Sequence, residues 1–168
     1  MKNNLNKNEY TFQQIGIIHS PHTDPSRTPI QPVFSKGIRG SVELFPEYVD
    51  GLKDLEGFSH IYLFYYFDRS TETKLMVKPY LDDNIRGVFA TRAPHRPNKI
   101  GMSLVRLLKI KQNILDVEEI DILDGTPLLD IKPYVERFDM RSGVRSGWQE
   151  KISDGLANLR GKRDYLKE

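Results

Sequence analysis

The sequence contains no cysteine, which excludes disulfide bonds, thiolate nucleophiles and cysteine-ligated zinc or iron–sulfur sites. It also has no apolar run long enough to cross a membrane as a helix. The first ten residues, MKNNLNKNEY, lack the apolar centre of a signal peptide. We therefore expect a cytoplasmic protein that begins with a disordered tail over residues 1–10.

Several sequence motifs of common enzyme classes are missing as well. No G-x-G-x-x-G leads from a strand into a helix, and there is no Walker A motif, no H-E-x-x-H and no nucleophile elbow. His19 and His22 are three residues apart, but Ser20-Pro21 between them breaks any helix that would bring them together. We expect neither a dinucleotide-type Rossmann site nor a bound metal.

Charge is weak in sum and uneven along the chain. The 168 residues carry a net charge of +2, which by itself does not indicate a nucleic-acid-binding protein. Residues 86–111 contain seven lysines and arginines and no acid, whereas residues 113–130 contain six acids and no base. A chain of this length can form one domain with a sizeable core.

Short β-rich segments separated by proline and glycine indicate a mainly β protein. A single curled antiparallel β-barrel with one or two short helices fits this pattern best. The run SHIYLFYYFD is expected to be a strand buried on both faces, and a helix is expected between Pro46 and Gly57. Beyond a turn at Gln112-Asn113, the pattern predicts that Lys109 faces Asp116 and Arg106 faces Glu119, with a bulge at residues 118–119.

The segment from Gly87 to Ser103, GVFATRAPHRPNKIGMS, is the most informative part of the sequence. It is predicted to start as a strand over residues 88–91, to break at two prolines, and to resume as a strand at Ile100. The break carries many hydrogen-bond donors and no acid, so it suits a negatively charged ligand; the alternative is a solvated turn. Two other segments have a similar character, the proline-rich loop Ser20–Gly40 and the turn Asp124–Pro127. Antiparallel topology can bring all three to one rim of the barrel, although a flexible linker remains an alternative for residues 20–40.

Three stretches of the sequence resemble, in order and spacing, the motifs of the TsaA-like (TrmO) family: IGIIHSP, GVFATRAPHRPNKIGMS and LDGTPLLDIKPY. The similarity runs from about Ile15 to Trp148, and RSGWQE resembles the family's ending. It implies an S-adenosylmethionine-dependent methyltransferase that acts as a homodimer on N6 of threonylcarbamoyladenosine in tRNA, next to the anticodon. It also implies a domain over residues 11–148, followed by a short helix or tail over 149–168.

The resemblance further implies which residues bind the cofactor and the substrate. The expected cofactor contacts are Pro29, Ile30, Gln31, His60, Ile61, Arg92, Met102, Asp124, Gly125, Thr126 and Pro127. We expect catalytic roles for Arg92, which would hold a carboxylate, and for Asp124, which would bind cofactor polar groups or accept a proton. The expected contacts to tRNA are His95, Arg96, Lys99 and Trp148.

Some residues keep a structural alternative, and the sequence departs from the family pattern at three positions. Trp148 can stack on a base or pack in the core, and His60 next to an apolar strand can be a packed histidine. The family's usual Pro-Arg-Gln reads Pro29-Ile30-Gln31 here, Lys99 replaces a usual proline, and Met102 replaces a usual leucine. Two other functions stay open, a methyltransferase of a small metabolite and a non-catalytic RNA-binding barrel.

Overall fold

The computed structural model describes residues 8–163. Most of the expected N-terminal tail, residues 1–7, and the end of the expected C-terminal helix or tail, residues 164–168, lie outside the described residues. The strands are β1 (Gly16–His19), β2 (Arg39–Leu44), β3 (His60–Tyr66), β4 (Met76–Val77), β5 (Arg86–Gly87), β6 (Ile100–Lys111), β7 (Ile114–Glu118) and β8 (Thr126–Pro133). The α-helices are α1 (Glu136–Asp139) and α2 (Asp154–Lys162), and 3-10 turns occupy Pro32–Phe34, Pro46–Leu52, Leu55–Gly57, Val88–Ala90 and Gly147–Lys151.

Six strands close into an antiparallel barrel in the order β1-β2-β7-β6-β3-β8, with β8 pairing back to β1. This confirms the predicted mainly β barrel with few short helices. Alternate residues of each strand point inwards, and they fill the barrel with branched aliphatic side chains that have no exposed surface. This interior contains Ile18, Val42, Ile61, Leu63, Val105, Leu115, Val117 and Leu128. The strands β4 and β5 form a separate two-stranded ribbon.

Strand β3 is buried on one face only, so the prediction of two buried faces was wrong. Ile61, Leu63 and Tyr65 point into the barrel, whereas Tyr62 and Phe64 lie on its outer surface and are half-buried. The two outer rings contact each other at a centroid distance of 6.4 Å. An apolar run of this length does not show whether a second layer covers the sheet. Here the outer face carries only a local cover, with the Tyr134 ring centroid 6.0 Å from that of Tyr62.

The β6–β7 hairpin turns at Gln112-Asn113 as predicted, but its bulge lies in β6 and not at residues 118–119. Lys109 faces Asp116 as predicted. Arg106 faces Glu118 instead of the residue after it, because the register shifts at Leu108 in β6. The Arg106 Nη1 lies 3.4 Å from a Glu118 carboxylate oxygen. Arg106 therefore forms a cross-strand ion pair, with Glu118 in place of the predicted Glu119.

Two local predictions were wrong for backbone reasons. The segment expected to be a helix from Pro46 to Gly57 forms two 3-10 turns, because Asp54 between them has a left-handed backbone with φ of 67°. Residues 88–91, expected to be a strand, instead form the turn Val88–Ala90, which the Thr91 amide closes by donating to the Val88 carbonyl at 3.1 Å. The apolar run Val88-Phe89-Ala90 is compatible with either a strand or a turn.

The C-terminal part of the described chain packs back on the barrel loops. Helix α2 begins after Ser153, whose hydroxyl accepts a hydrogen bond from the Leu156 amide at 3.3 Å. No helix between residues 8 and 163 is both long and apolar enough to traverse a bilayer.

Candidate functional site

The proline-rich loop and the central loop meet at Arg92. Its Nη1 donates a hydrogen bond to the side-chain oxygen of Gln31, a residue 61 positions earlier in the chain. The rest of the Arg92 side chain is exposed. Because a guanidinium has five N–H donors and the amide uses one of them, Arg92 keeps donors for an anionic group.

The turn that contains Asp124 is fixed to the end of β1. The Ser20 amide donates to Asp124 Oδ1 at 3.1 Å, and His19 Nδ1 lies 3.7 Å from the same oxygen. Gly125 has φ of 77°, a left-handed conformation that favours glycine. The Asp124 side chain is 45% exposed, so its carboxylate is oriented by the chain and still accessible to a ligand.

Two consecutive residues join this turn to the central loop. Arg69 Nη2 donates to the Asp124 carbonyl, and the Ser70 hydroxyl donates to the Pro94 carbonyl at 3.2 Å. The turn, the central loop and, through Arg92, the proline-rich loop are therefore linked by hydrogen bonds. They lie together, as antiparallel topology allows.

The arginine expected to contact tRNA has an internal role that the sequence did not show. Arg96 Nη1 donates to the carbonyls of Val88 and Thr91 at 3.1 and 2.8 Å, and its guanidinium lies 5.7 Å from the Phe89 ring centroid. Its side chain therefore stabilises the fold of the central loop. Neighbouring His95 is half-buried, with Nδ1 3.4 Å from the Ser70 hydroxyl.

Lys99 and Met102 stand at the start of β6. Lys99 has φ of 51°, and because proline fixes φ near −65°, the family's usual proline could not adopt this backbone conformation. Met102 lies on the outer face of the barrel opposite Phe64 and is 39% exposed. Both residues are close in sequence to the central loop, at the end of β6 that the loop enters.

His60 and Ile61 lie at the other end of the same strand pair. His60 is the first residue of β3 and faces Arg106, with Nδ1 2.9 Å from the Ser59 hydroxyl and its ring edge-on to Tyr134. The Ile61 side chain is fully buried in the barrel core. Within one chain, these two residues belong to the strand end opposite the one that the central loop enters.

Trp148 packs against the central loop. Its indole Nε1 donates to the Ala90 carbonyl at 2.8 Å, and the Arg86 guanidinium lies 5.6 Å from the ring centroid. These contacts support the packing alternative for Trp148.

The remaining predicted cofactor contacts divide into a loop group and a strand group. Pro29 is buried, and the Ile30 amide donates to the Gly161 carbonyl at 3.0 Å. Thr126 Oγ1 donates to the Leu123 carbonyl at 2.7 Å, and Pro127 faces Ile17 in the β1–β8 ladder. Within residues 8–163, no group of three or more histidines and acids could hold a metal ion.

Comparison with known protein families shows the family of this chain. Residues 17–140 match the model of the tRNA-methyltransferase O N-terminal domain. The chain belongs to this family. The match includes all three linked loops, β1 to β8 and helix α1, and it ends before Trp148 and α2.

The relatives of this TrmO-family chain include proteins named for S-adenosyl-L-methionine binding and for tRNA methylation. A probable S-adenosyl-L-methionine-binding protein of Pyrococcus abyssi is 58% identical over 89% of this chain and 81% of its own length. The tRNA (adenine(37)-N6)-methyltransferase of Escherichia coli is 40% identical over 75% of this chain, but the match covers only 58% of that protein. The crystal structure of TrmO from Pseudomonas aeruginosa superimposes with a TM-score of 0.71 at 38% identity, over 84% of this chain and 63% of that one. The chain therefore spans less than two thirds of these two methyltransferase relatives.

The TrmO-family barrel also contains a cluster of buried polar side chains that was not predicted from the sequence. The Ser103 hydroxyl donates to Asp121 Oδ1 at 2.6 Å and lies 3.1 Å from the Tyr65 hydroxyl. Burial raises the pKa of Asp121 to about 7, although the Ser103 hydrogen bond and the positive charge of Arg92 oppose this increase. Burial also raises the pKa of Tyr65 well above its usual value.

One feature of the sequence indirectly indicates this cluster. The apolar phase changes between Val117 and Ile120, which marks a break in the strand before Asp121. Nothing in the pattern links that break to Ser103, which is 18 residues away.

Proposed function

We propose that the chain binds S-adenosylmethionine at the linked loops and methylates N6 of threonylcarbamoyladenosine next to the anticodon of tRNA. The observation that carries this proposal is the Arg92–Gln31 contact, which brings two predicted cofactor loops together in a family whose named relatives include S-adenosyl-L-methionine-binding proteins and a tRNA methyltransferase. The names of the relatives support the cofactor and the tRNA substrate.

The residues present fit an amino-acid-containing cofactor. Arg92 offers a guanidinium to a carboxylate, and the accessible Asp124 carboxylate suits an ammonium group or ribose hydroxyls. The exposed Met102 side chain offers an apolar surface. When bound, S-adenosylmethionine supplies an electrophilic methyl group.

The chain's own contribution is to position the reactants and to move a proton. Arg92 fixes a carboxylate, and the resulting orientation can supply much of the rate acceleration. The acceptor N6 is bonded to both an adenine ring and a carbonyl, so its proton is more acidic than that of a simple amine and a carboxylate is a sufficient base. As an alternative to binding the cofactor, Asp124, oriented by the Ser20 amide, would accept this proton as the bond from N6 to the methyl group forms and the methyl–sulfur bond breaks.

Calorimetric titration with S-adenosylmethionine tests the cofactor assignment. Arg92→Ala removes the proposed carboxylate partner, and we expect its affinity to fall by tenfold or more, about 1.4 kcal/mol or greater. Arg106→Ala is the matched control, because it removes an arginine that pairs with Glu118 on the barrel surface. Equal affinities for wild type and Arg92→Ala would refute the assignment.

Lys99→Ala tests the tRNA assignment more cleanly than a change at Arg96, which holds the loop together. Loss of a phosphate contact should weaken tRNA binding and reduce its dependence on salt concentration. Lys111→Ala, at the far end of β6, is the control. If Lys99→Ala binds tRNA with the wild-type salt dependence, this lysine makes no phosphate contact.

Transfer of labelled methyl groups separates the other two functions. The internal role of Arg96 and the replacement of the family's arginine by Ile30 leave fewer cations for tRNA, which favours a small-metabolite methyltransferase as the second candidate. That function predicts label in a small molecule and none in tRNA. A non-catalytic RNA-binding barrel predicts tRNA binding that does not depend on S-adenosylmethionine, with no transfer.

We further propose a cytoplasmic homodimer whose methyltransferase unit spans residues 11–148. An exposed apolar row on β3 and β6, including Tyr66, Ile100 and Met102, supports an interface there. The position of His60 is a second support, because antiparallel pairing of two copies would bring this strand end beside the partner's central loop. Light scattering should give the mass of a dimer, and a monomer at micromolar concentration would contradict this proposal.

A further inference from the structure

The segment from Asp24 to Gln31, which carries three predicted cofactor contacts, has no strand or helix of its own. Several of its hydrogen bonds are internal, such as those that the Asp24 carboxylate accepts from Ser26. In the described part of the chain, its hydrogen bonds to other segments come from Arg92, from the end of α2 and from the Phe34 amide of the next turn, which donates to the Gln31 carbonyl. The position of Gln31 therefore depends partly on the C-terminal helix.

Arg163, just after α2, is the strongest of these links. Although it is charged, only 5% of its surface is exposed. Its Nη1 donates to the Ser26 carbonyl at 2.8 Å and its Nη2 donates to the Pro25 carbonyl at 3.2 Å. The guanidinium also lies 3.6 Å from the centroid of the Tyr80 ring. A buried arginine with two carbonyl acceptors and an aromatic face fixes the loop in one position.

Gly161 provides a second link at the other side of the segment. Its carbonyl accepts the hydrogen bond from the Ile30 amide, directly before Gln31. A Cβ at Gly161 would lie 2.5 Å from carbon atoms of the Phe34 ring, so the loop packs against the helix at a position that only glycine permits. The close approach brings the helix backbone within hydrogen-bond distance of Ile30.

The same C-terminal segment also contacts the other half of the Arg92–Gln31 pair. Trp148 donates to Ala90, two residues before Arg92. Residues 147–163 thus touch both loops whose contact forms the candidate site, and they lie beyond the residues 17–140 that the family model matches.

We propose that residues 147–163 are a positioning element of the cofactor site, with Arg163 and Gly161 as positioning residues that hold Gln31 against Arg92. This inference rests on the proposed function, because it assumes that these loops bind S-adenosylmethionine. If loss of the contacts lowers the population of the binding-competent loop to about one tenth, the apparent affinity falls about tenfold.

Four variants of the full chain test the inference. Arg163→Ala removes the two bonds to the loop, and Arg163→Lys keeps a charge over Tyr80 and should recover part of the affinity. Gly161→Ala displaces Phe34 while favouring the helix, so it is informative even if Arg163→Ala fails to fold. Asn158→Ala is the matched control, because it removes an exposed side chain of α2 that donates to Asp154 within the helix.

Two measurements separate this inference from the proposed function. The first is hydrogen exchange at the Ile30 amide in the free protein, and the second is the dissociation constant for S-adenosylmethionine. We expect faster exchange and about tenfold weaker binding in Arg163→Ala and Gly161→Ala, with wild-type values in Asn158→Ala.

The remaining outcomes each overturn something different. If the wild-type chain does not bind S-adenosylmethionine, the proposed function fails, and this inference fails with it. If the wild type binds and both variants exchange faster but bind equally well, only the positioning role is wrong. If neither variant changes the exchange of Ile30, the contact between helix and loop does not control the loop in solution.

Discussion

The buried carboxyl of Asp121 should make the stability of the barrel depend on pH. Burial raises its pKa from 3.8 to about 7, so the folded chain holds a proton that the unfolded chain releases above about pH 4. Stabilisation by the protonated form is complete below the unfolded pKa and is lost as the pH rises through the folded pKa. With 1.36 kcal/mol for each pKa unit, the loss between pH 4 and pH 8 is about 4 kcal/mol.

Asp121→Asn isolates this contribution. Asparagine keeps an oxygen that accepts the Ser103 hydrogen bond, and it does not titrate. We therefore expect the free energy of unfolding of the variant, minus that of wild type, to rise by about 4 kcal/mol between pH 4 and pH 8. Urea unfolding followed by circular dichroism at a series of pH values measures this difference.

A second variant, Ser103→Ala, tests how the hydrogen bond to Asp121 affects the pKa of this carboxyl. The Ser103 hydrogen bond lowers the pKa of Asp121, so Ser103→Ala should move the midpoint of the pH dependence upwards. A stability difference between Asp121→Asn and wild type that stays flat from pH 4 to pH 8 would refute the reasoning, because it would show that Asp121 titrates alike in the folded and unfolded chains.

Two further substitutions test packing. Gly101→Ala places a Cβ onto the Tyr65 ring inside the barrel, so urea unfolding should show a loss of about 1–3 kcal/mol, and wild-type stability would contradict the packing at this crossing of β3 and β6. Trp148→Phe keeps an aromatic ring but removes the donor to Ala90, so stability should fall by about 1 kcal/mol while tRNA affinity stays constant. Stability equal to wild type together with weaker tRNA binding would instead indicate that Trp148 stacks on a base.

The barrel was predictable because its turns carry strong local signals. Proline and glycine punctuate the chain between short strands, and the β6–β7 hairpin aligns Lys109 with Asp116 as opposite charges require. The bulge position was not predictable to the residue, since an extra residue in either strand produces the same change of phase. Arg106 therefore gained a different acidic partner from the one expected.

The wrong predictions share a physical cause, which is that the same local pattern suits two environments. The apolar run from Val88 to Ala90 suits a strand, but the segment forms a turn, and Arg96 donates to the carbonyls of Val88 and Thr91. The tyrosines and phenylalanine of β3 resemble a doubly buried strand, yet three of the four lie on the outer face of a single-layer barrel. Only the tertiary arrangement distinguishes these cases.

Within the candidate site, the sequence predicted the three loops but not how they connect. The Arg92–Gln31 bond spans 61 residues, and no local pattern encodes a contact at that separation. The resemblance assigned His60 to the same site as Arg92, whereas the strand register places it at the opposite end of β3. The supporting role of the C-terminal helix depends on a close approach at Gly161 that becomes visible only in the fold.

The proposed function is the transfer of a methyl group from S-adenosylmethionine to a modified adenosine of tRNA. The most direct test is mass spectrometry of nucleosides from tRNA that contains threonylcarbamoyladenosine, after incubation with the protein and S-adenosylmethionine. We predict that the threonylcarbamoyladenosine signal converts to a species heavier by one CH2 unit, because a methyl group replaces the N6 proton, and that omission of S-adenosylmethionine abolishes this conversion. An unchanged threonylcarbamoyladenosine signal, with a wild-type protein that is folded and binds S-adenosylmethionine, would contradict the claim.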